Sequence, residues 1–384
     1  MDSEGGSGEA LTVRSDGGSK AGHRAPGADR RGRDAVRGGR SVRRSVTVGS
    51  LPRLCVTFVE SSEYQNFLTQ GGAVKPRALV LAPMRGPEWN RLRELADVHY
   101  DPAEHRPHRA DDLARRLADT GARILVTEAD EVAGPVLDLP LLVVGCARGD
   151  AENVDLPAAT GRGIPVVCAP GRDADAVAEL TLALILAVTR RVAVGDREIR
   201  QGVVSRLRHR AWELAGRTVG LIGYGAVGRA VAWRMKGLGM RVMVYDPEAE
   251  ENRYGLGVLL AQADVVSVHA PASAGPLVGA AEFAAMKTGA IFVNTADPYL
   301  YDMNALVGAL KTGHLAGAGL DRFAGEWLEP GHPLTDMDNV VLTPHVGAST
   351  YDTEINHTRM ICEDIVRVLG GERPLHCANP GFRE

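Results

Sequence analysis

The segment TVGLIGYGAVGRAVA, residues 218–232, constrains the fold more than any other stretch of this 384-residue chain. A β-rich run ends at Gly223, the pattern Gly223, Gly225, Gly228 follows, and a run of helical composition begins. Glycine at these positions lets backbone N–H groups and the positive end of a helix face a pyrophosphate with no Cβ in the way. Such a pattern is weak evidence by itself in a chain with 45 glycines, because a tight turn or a close helix contact gives the same letters. Its context narrows the choice. The next run, RVMVYD, ends at Asp246, eighteen residues after Gly228. A carboxylate there can accept hydrogen bonds from a ribose 2′-OH and would repel a 2′-phosphate. Strand, glycine loop, helix, strand and terminal acid, in that order, predict a unit that binds NAD rather than NADP.

This unit sits inside a larger alternation. Short β-rich runs at Ala78–Leu81, Val98–Tyr100, Ile124–Thr127, Leu141–Val144 and Val166–Val167 alternate with helical segments, the signature of an open parallel sheet. A long helix is expected from Ala174 to about Arg200. The alternation then restarts with Val219–Ile222, Val242–Tyr245, Val265–Val268, Ile291–Val293 and Val340–Leu342. The fold class is α/β, with two Rossmann-like, doubly wound parallel-sheet domains. Residues 1–50 are rich in glycine and arginine and poor in aromatic and branched apolar side chains, so a disordered tail is expected there. Residues 51–75 hold one candidate strand, Val56–Val59.

Composition excludes several classes of function. A formal charge of -4 gives no overall attraction to nucleic acid or to an anionic membrane. The apolar helix Val177–Thr189 is too short to span a bilayer and contains Glu179. Cys55, Cys146, Cys168, Cys362 and Cys377 are scattered without metal or redox spacing, which suits a reducing cytoplasm. No His/Cys/Asp cluster has metal spacing.

Four further segments carry a resemblance: ADVVSVHAP at Ala263–Pro271, MKTGAIFVNTA at Met286–Ala296, LAGAGLDRF at Leu315–Phe323 and NVVLTPHVGAS at Asn339–Ser349. In order and spacing they resemble the motifs of the D-2-hydroxyacid dehydrogenases, the family of phosphoglycerate dehydrogenase and glyoxylate reductase. The resemblance implies that the nucleotide-binding domain, 171–345, is inserted into a substrate domain formed by 51–170 and the return segment 346–384. It implies an oxidoreductase that moves hydride between NAD and a small 2-hydroxy or 2-keto acid. A two-fold homodimer built on Ala174 to Leu214 is also implied.

The same resemblance assigns roles. His345 matches the family's acid/base, and Glu326 the carboxylate that pairs with it. Asp321 falls where the family contacts the nicotinamide carboxamide. The cofactor site would comprise Gly223, Gly225, Ala226, Val227, Gly228, Asp246, Ala270, Thr295, Ala296, Asp321, His345, Gly347 and Ala348. Arg148 and Gly149, in GCARGDAENVD, match the substrate-domain loop whose amides receive the substrate carboxylate; glycine suits such a nest of N–H groups.

One position departs from the family. Where it carries an arginine for the substrate carboxylate, followed by glycine, this chain has Asp297 and Pro298. Loss of one such electrostatic stabiliser typically costs about 3 to 4 kcal/mol in the transition state. The alternative function is therefore an NAD(H)-binding sensor or interaction protein on the same fold. Arg148 is the favoured substitute cation. Arg322 follows Asp321 on an expected strand, so if Asp321 faces the cofactor, Arg322 is expected to face away.

Other features read blandly. Arg200, Arg206, Arg208 and Arg210, with His209 and Trp212, suit a solvated face or a subunit contact. Trp327 stands where the family usually has proline and would line the cleft or pack a loop, and His357 reads as a surface residue.

Overall fold

The computed structural model describes residues 75–382 apart from 103–106, 205–208 and 252. The tail 1–50, the expected strand Val56–Val59, and Arg206 and Arg208 lie outside the described residues.

The first unit runs β1 (Arg77–Val80), α1 (Glu88–Leu95), β2 (Asp97–Tyr100), α2 (Ala110–Thr120), β3 (Ile124–Thr127), β4 (Val143–Cys146), α3 (Leu156–Gly161) and β5 (Val166–Val167). Its strands are parallel, in the order β2-β1-β3-β4-β5. Successive side chains take opposite faces. Ala78, Val80, Ile124, Val126 and Val143 pack with Trp89 and Leu92 of α1, and Leu79, Leu125 and Val144 pack with Leu113 and Leu117 of α2. Burial on both faces is why these strands read as continuous apolar runs. The strand expected at Leu141 starts at Val143, because the Leu141 N–H first closes a turn on the Leu139 carbonyl at 2.7 Å.

The chain continues through α4 (Ala174–Thr189), α5 (Val192–Arg200), β6 (Thr218–Ile222), α6 (Ala226–Gly237), β7 (Arg241–Tyr245), α7 (Leu256–Gln262), β8 (Val265–Val268), α8 (Ala280–Ala285), β9 (Ala290–Asn294), α9 (Met303–Lys311), β10 (Leu315–Leu320), β11 (Val340–Leu342) and α10 (Tyr351–Leu369). Its six strands form a second parallel sheet in the order β11-β10-β9-β8-β6-β7. Val219, Leu221, Ile291 and Val293 meet α4 and α6 on one face, while Ile222, Val266, Val268 and Phe292 meet the α7 to α9 side on the other. Helix α10 then returns to the first sheet, where Ile361 and Ile365 join Val126 and Val143 in one core. The second unit is thus inserted between two segments that share the first unit's core. No helix among the described residues is long and apolar enough to cross a membrane.

Two elements differ from the sequence expectation. The long helix breaks at Arg191, which has φ 53, and gives α4 and α5 instead of one rod. A single left-handed residue leaves composition and periodicity unchanged, so the break is invisible in the sequence pattern. Strand β10 escaped the run of β-rich segments because it is built of small residues. A Cβ at Gly317 would stand 2.4 Å from the Asn339 carbonyl oxygen and 2.7 Å from Val188 Cγ1, and one at Gly319 would stand 2.9 Å from Leu184 Cβ. Glycine is what lets α4 lie directly on this strand.

Candidate active site

The glycine loop leaves β6 under tight steric control. Gly223 has φ +96, and a Cβ there would lie 2.5 Å from the Ala270 nitrogen; a Cβ on Gly228 would lie 2.4 Å from the Gly223 oxygen. Gly225 instead faces open space, with nothing within 4 Å of its Cβ position. Gly225 also caps α6 without a side-chain hydrogen bond, so the N–H groups of the first helical turn, starting at Ala226 and Val227, remain available to an anion. Two glycines serve packing and the middle one keeps the approach open, the arrangement a pyrophosphate requires.

Asp246 lies just past β7. Its Oδ2 accepts the Tyr224 N–H at 2.7 Å and its Oδ1 accepts the Glu248 N–H at 2.9 Å. Each oxygen keeps lone-pair capacity for ribose hydroxyls. The sequence reading missed Arg229 on this rim. Its guanidinium stacks 4.6 Å from the Tyr224 ring centroid and pairs with Glu251 at 2.6 Å. The signal was its place one helical step beyond Gly228.

At the other end of the site, β10 and β11 deliver the residues around His345. Asp321 is 1% exposed. Its Oδ1 accepts the Thr343 hydroxyl at 2.5 Å and the Val346 N–H at 3.0 Å, and its Oδ2 accepts the Gly347 N–H at 2.9 Å. Its carbonyl accepts the His345 N–H at 2.7 Å. The carboxylate therefore binds two loops together. His345 and Glu326 have φ of 54 and 65, and His345 Nδ1 lies 2.7 Å from Glu326 Oε2. Such backbone strain in two paired polar residues is typical of functional sites. The carboxylate fixes the proton on Nδ1 and leaves Nε2 to exchange a proton. Thr295 is buried, its hydroxyl 3.0 Å from that of Thr181 on α4, while Ala270, Ala296 and Ala348 are half-buried at neighbouring strand ends.

The first sheet contributes its own strand-end loops. The Arg148 carbonyl lies at this edge and accepts the Ala169 N–H at 2.7 Å, and Gly149 lies beside Ala169. A Cβ on Gly171 would meet Ala226 Cβ at 3.4 Å, so this edge touches the glycine loop. The Arg148 guanidinium, however, is held by Asp150 at 3.2 Å and Glu152 at 3.7 Å. Asp297 accepts the Tyr299 N–H at 2.8 Å through Oδ1, and its Oδ2 lies 4.0 Å from Arg322 Nη2. β10 ends at Leu320, so Asp321 and Arg322 lie in the loop after it, where strand alternation does not set the direction of Arg322. Its nearest charged neighbour is Asp297.

His357 also differs from expectation: it is 1% exposed, not at the surface. Its Nε2–H donates to the Pro83 carbonyl at 2.6 Å, and its Nδ1 accepts from Arg172 Nη1 at 2.8 Å. Arg172 also donates to Glu128 at 2.9 Å, and its carbonyl accepts the Asn356 side chain at 2.9 Å. These bonds tie the loops after β1, β3 and β5 to the start of α10. Trp327 is exposed. His209 pairs with Glu198, Arg200 pairs with Asp196, and Trp212 is exposed. Cys146, Cys168, Cys362 and Cys377 are free thiols; burial pushes Cys146 and Cys362 up to about 12.

A family model for the NAD-binding domain of D-isomer specific 2-hydroxyacid dehydrogenases matches residues 182–347. The glyoxylate reductase of Thermofilum pendens is 35% identical over 317 residues, covering 78% of this chain and 93% of that protein. The D-3-phosphoglycerate dehydrogenase of Archaeoglobus fulgidus is 41% identical over 241 residues, covering 60% of this chain and 46% of that longer protein. Among solved structures, a protein from Thermus thermophilus superposes with a TM-score of 0.71 at 38% identity, covering 78% of this chain and 99% of that one.

Burial and the neighbouring Arg172 cation hold the His357 imidazole below its ordinary value of 6.5. The unfolded chain binds this proton at a higher pH than the folded one, so the neutral histidine contributes stability above pH 6.5 that is lost as the pH falls below it. His357→Gln keeps one donor and one acceptor without titrating. Urea unfolding should give near-equal stability for both proteins at about pH 8 and a shallower loss for the variant between roughly pH 6.5 and 5. Parallel losses would contradict the burial of a neutral imidazole.

Proposed function

Because the chain belongs to the D-isomer specific 2-hydroxyacid dehydrogenases, we propose that it interconverts a small 2-hydroxy acid and the matching 2-keto acid with His345 as its acid/base. The observation that carries this reading is the 2.7 Å pair of His345 and Glu326 on loops at the same sheet edge as the glycine-rich nucleotide loop. NAD, when bound, supplies the hydride acceptor or donor. The pyrophosphate would be held by the N–H groups of Gly225, Ala226, Val227 and Gly228, and the ribose by Asp246. Ala270, Thr295, Ala296, Asp321, Gly347 and Ala348 would line the nicotinamide half. His345 Nε2 takes the hydroxyl proton in oxidation and returns it in reduction, while Glu326 stabilises the charged imidazolium. Gly149 and the backbone around Arg148 would meet the substrate from the first sheet.

We read 171–345 as the NAD-binding domain, with 51–170 and 346–384 forming the substrate domain. The free, mostly buried cysteines among the described residues suit a cytoplasmic location. The exposed apolar residues Leu186, Val192, Ile199, Val204 and Trp212 support a homodimer formed along α4, α5 and the segment after them.

Wild-type protein should oxidise NADH with a 2-keto acid such as glyoxylate or hydroxypyruvate. His345→Gln should lower kcat by about a hundredfold or more with NADH affinity unchanged. An unchanged rate would refute the catalytic assignment.

The second test concerns the cofactor. With Asp246 anchored on the glycine loop and Arg229 neutralised by Glu251, NADH should bind at least about tenfold more tightly than NADPH, a gap of roughly 1.4 kcal/mol. Calorimetry should show Asp246→Ala narrowing that gap; equal wild-type affinities would sink the role of Asp246.

Light scattering should give about twice the chain mass of 40.8 kDa, and Trp212→Glu with Val204→Glu should shift it toward that of one chain. A wild-type monomer at micromolar concentration would exclude the dimer.

A further inference from the structure

The loop between β10 and Glu326 carries a cation whose surroundings no structural role accounts for. Arg322 stands one residue after Asp321 and four before Glu326, the two residues that hold His345 through its N–H at 2.7 Å and its Nδ1 at 2.7 Å. Its side chain is 31% exposed, yet its Nε is buried with no hydrogen-bond partner. Its nearest charge is Asp297 Oδ2 at 4.0 Å, beyond hydrogen-bond reach. Among the described residues the guanidinium therefore has an ion-pair neighbour and no acceptor. Other arginines on the strand-end loops are committed: Arg85 to Glu354, Arg148 to Asp150 and Glu152, and Arg172 to His357 and Glu128. A buried guanidinium N–H without an acceptor is costly, and a planar fork of N–H donors matches a carboxylate in two parallel bonds.

Resting on the 2-hydroxy acid reading above, we propose that Arg322 holds the substrate's carboxylate in this protein, with Asp297 aiming its guanidinium. Asp297 is suited to that task because its Oδ1 is fixed by the Tyr299 N–H at 2.8 Å, leaving Oδ2 toward the arginine. Relative to a lone arginine at position 297, the cation now enters from the neighbouring strand, at the carboxyl edge where open parallel sheets take their ligands. The aspartate that would repel a substrate carboxylate by itself becomes half of an ion pair.

The test uses oxamate, a 2-keto acid analogue with a carboxylate, titrated by calorimetry into the full-length protein saturated with NADH. Wild-type complex should bind oxamate. Arg322→Gln should weaken that binding at least about tenfold with NADH affinity unchanged, and Arg322→Lys should fall between, since lysine keeps the charge but cannot present two parallel N–H bonds. If the glutamine variant does not fold, the lysine variant alone carries the comparison. Oxamate affinity that is the same in wild type and in the variant measured overturns the proposal, as does failure of the wild-type NADH complex to bind oxamate. If NADH itself does not bind, the dehydrogenase reading falls first and takes this proposal with it. If NADH and oxamate both bind regardless of residue 322, only the role of Arg322 is lost.

Discussion

The buried carboxylate of Asp321 is the interaction around which the site is organised. Removing a carboxylate from water costs several kcal/mol unless hydrogen bonds replace the lost hydration, and here a hydroxyl and two backbone N–H groups do so. All three donors belong to the segment after β11, while the acid belongs to the end of β10. The bond set therefore fixes one strand-end loop against its neighbour and, through the Asp321 carbonyl, holds His345 in the left-handed backbone region. Glu326, on the same loop as Asp321, reaches the imidazole from the other direction. The orientation of His345 is a consequence of one satisfied buried charge.

The residues proposed to meet the cofactor and substrate emerge from carboxyl ends of parallel strands. In the second sheet this edge carries the glycine loop, Asp246, Asp297, Asp321 and His345; in the first it carries Arg148, Gly149 and Arg172. The two edges touch where Gly171 approaches Ala226, and Arg172 with His357 fastens the first edge to α10. The glycines of β10 serve the same end indirectly, because they let α4 settle on the strand that presents Asp321 and Arg322.

Much of this was legible in the sequence because it follows from repeating patterns. Apolar runs of parallel strands, the glycine spacing and the terminal acid at Asp246 are local and periodic, and ordered motifs located His345 and Glu326. What escaped depends on close approach or on partners distant in sequence. β10 did not stand out among the β-rich runs because its packing demands glycine, and the single left-handed Arg191 split a helix whose composition ran on unbroken. His357 looked like a surface residue because its partners, Pro83 and Arg172, come from other loops. Arg322 illustrates the same limit: an expectation from strand alternation could not reach it, because β10 ends at Leu320 and its neighbour Asp297 comes from the loop after β9.

The proposed function requires these strand-end loops to assemble a site for hydride transfer to and from C2 of a hydroxy acid. Reduction of a 2-keto acid with NADH carrying deuterium at C4 of the nicotinamide, on one face and then on the other, follows that hydride. Mass spectrometry should find one deuterium at C2 of the hydroxy acid product from one of the two labelled forms and none from the other. Bound NADH with no deuterium reaching the product from either form would rule out hydride transfer at this site.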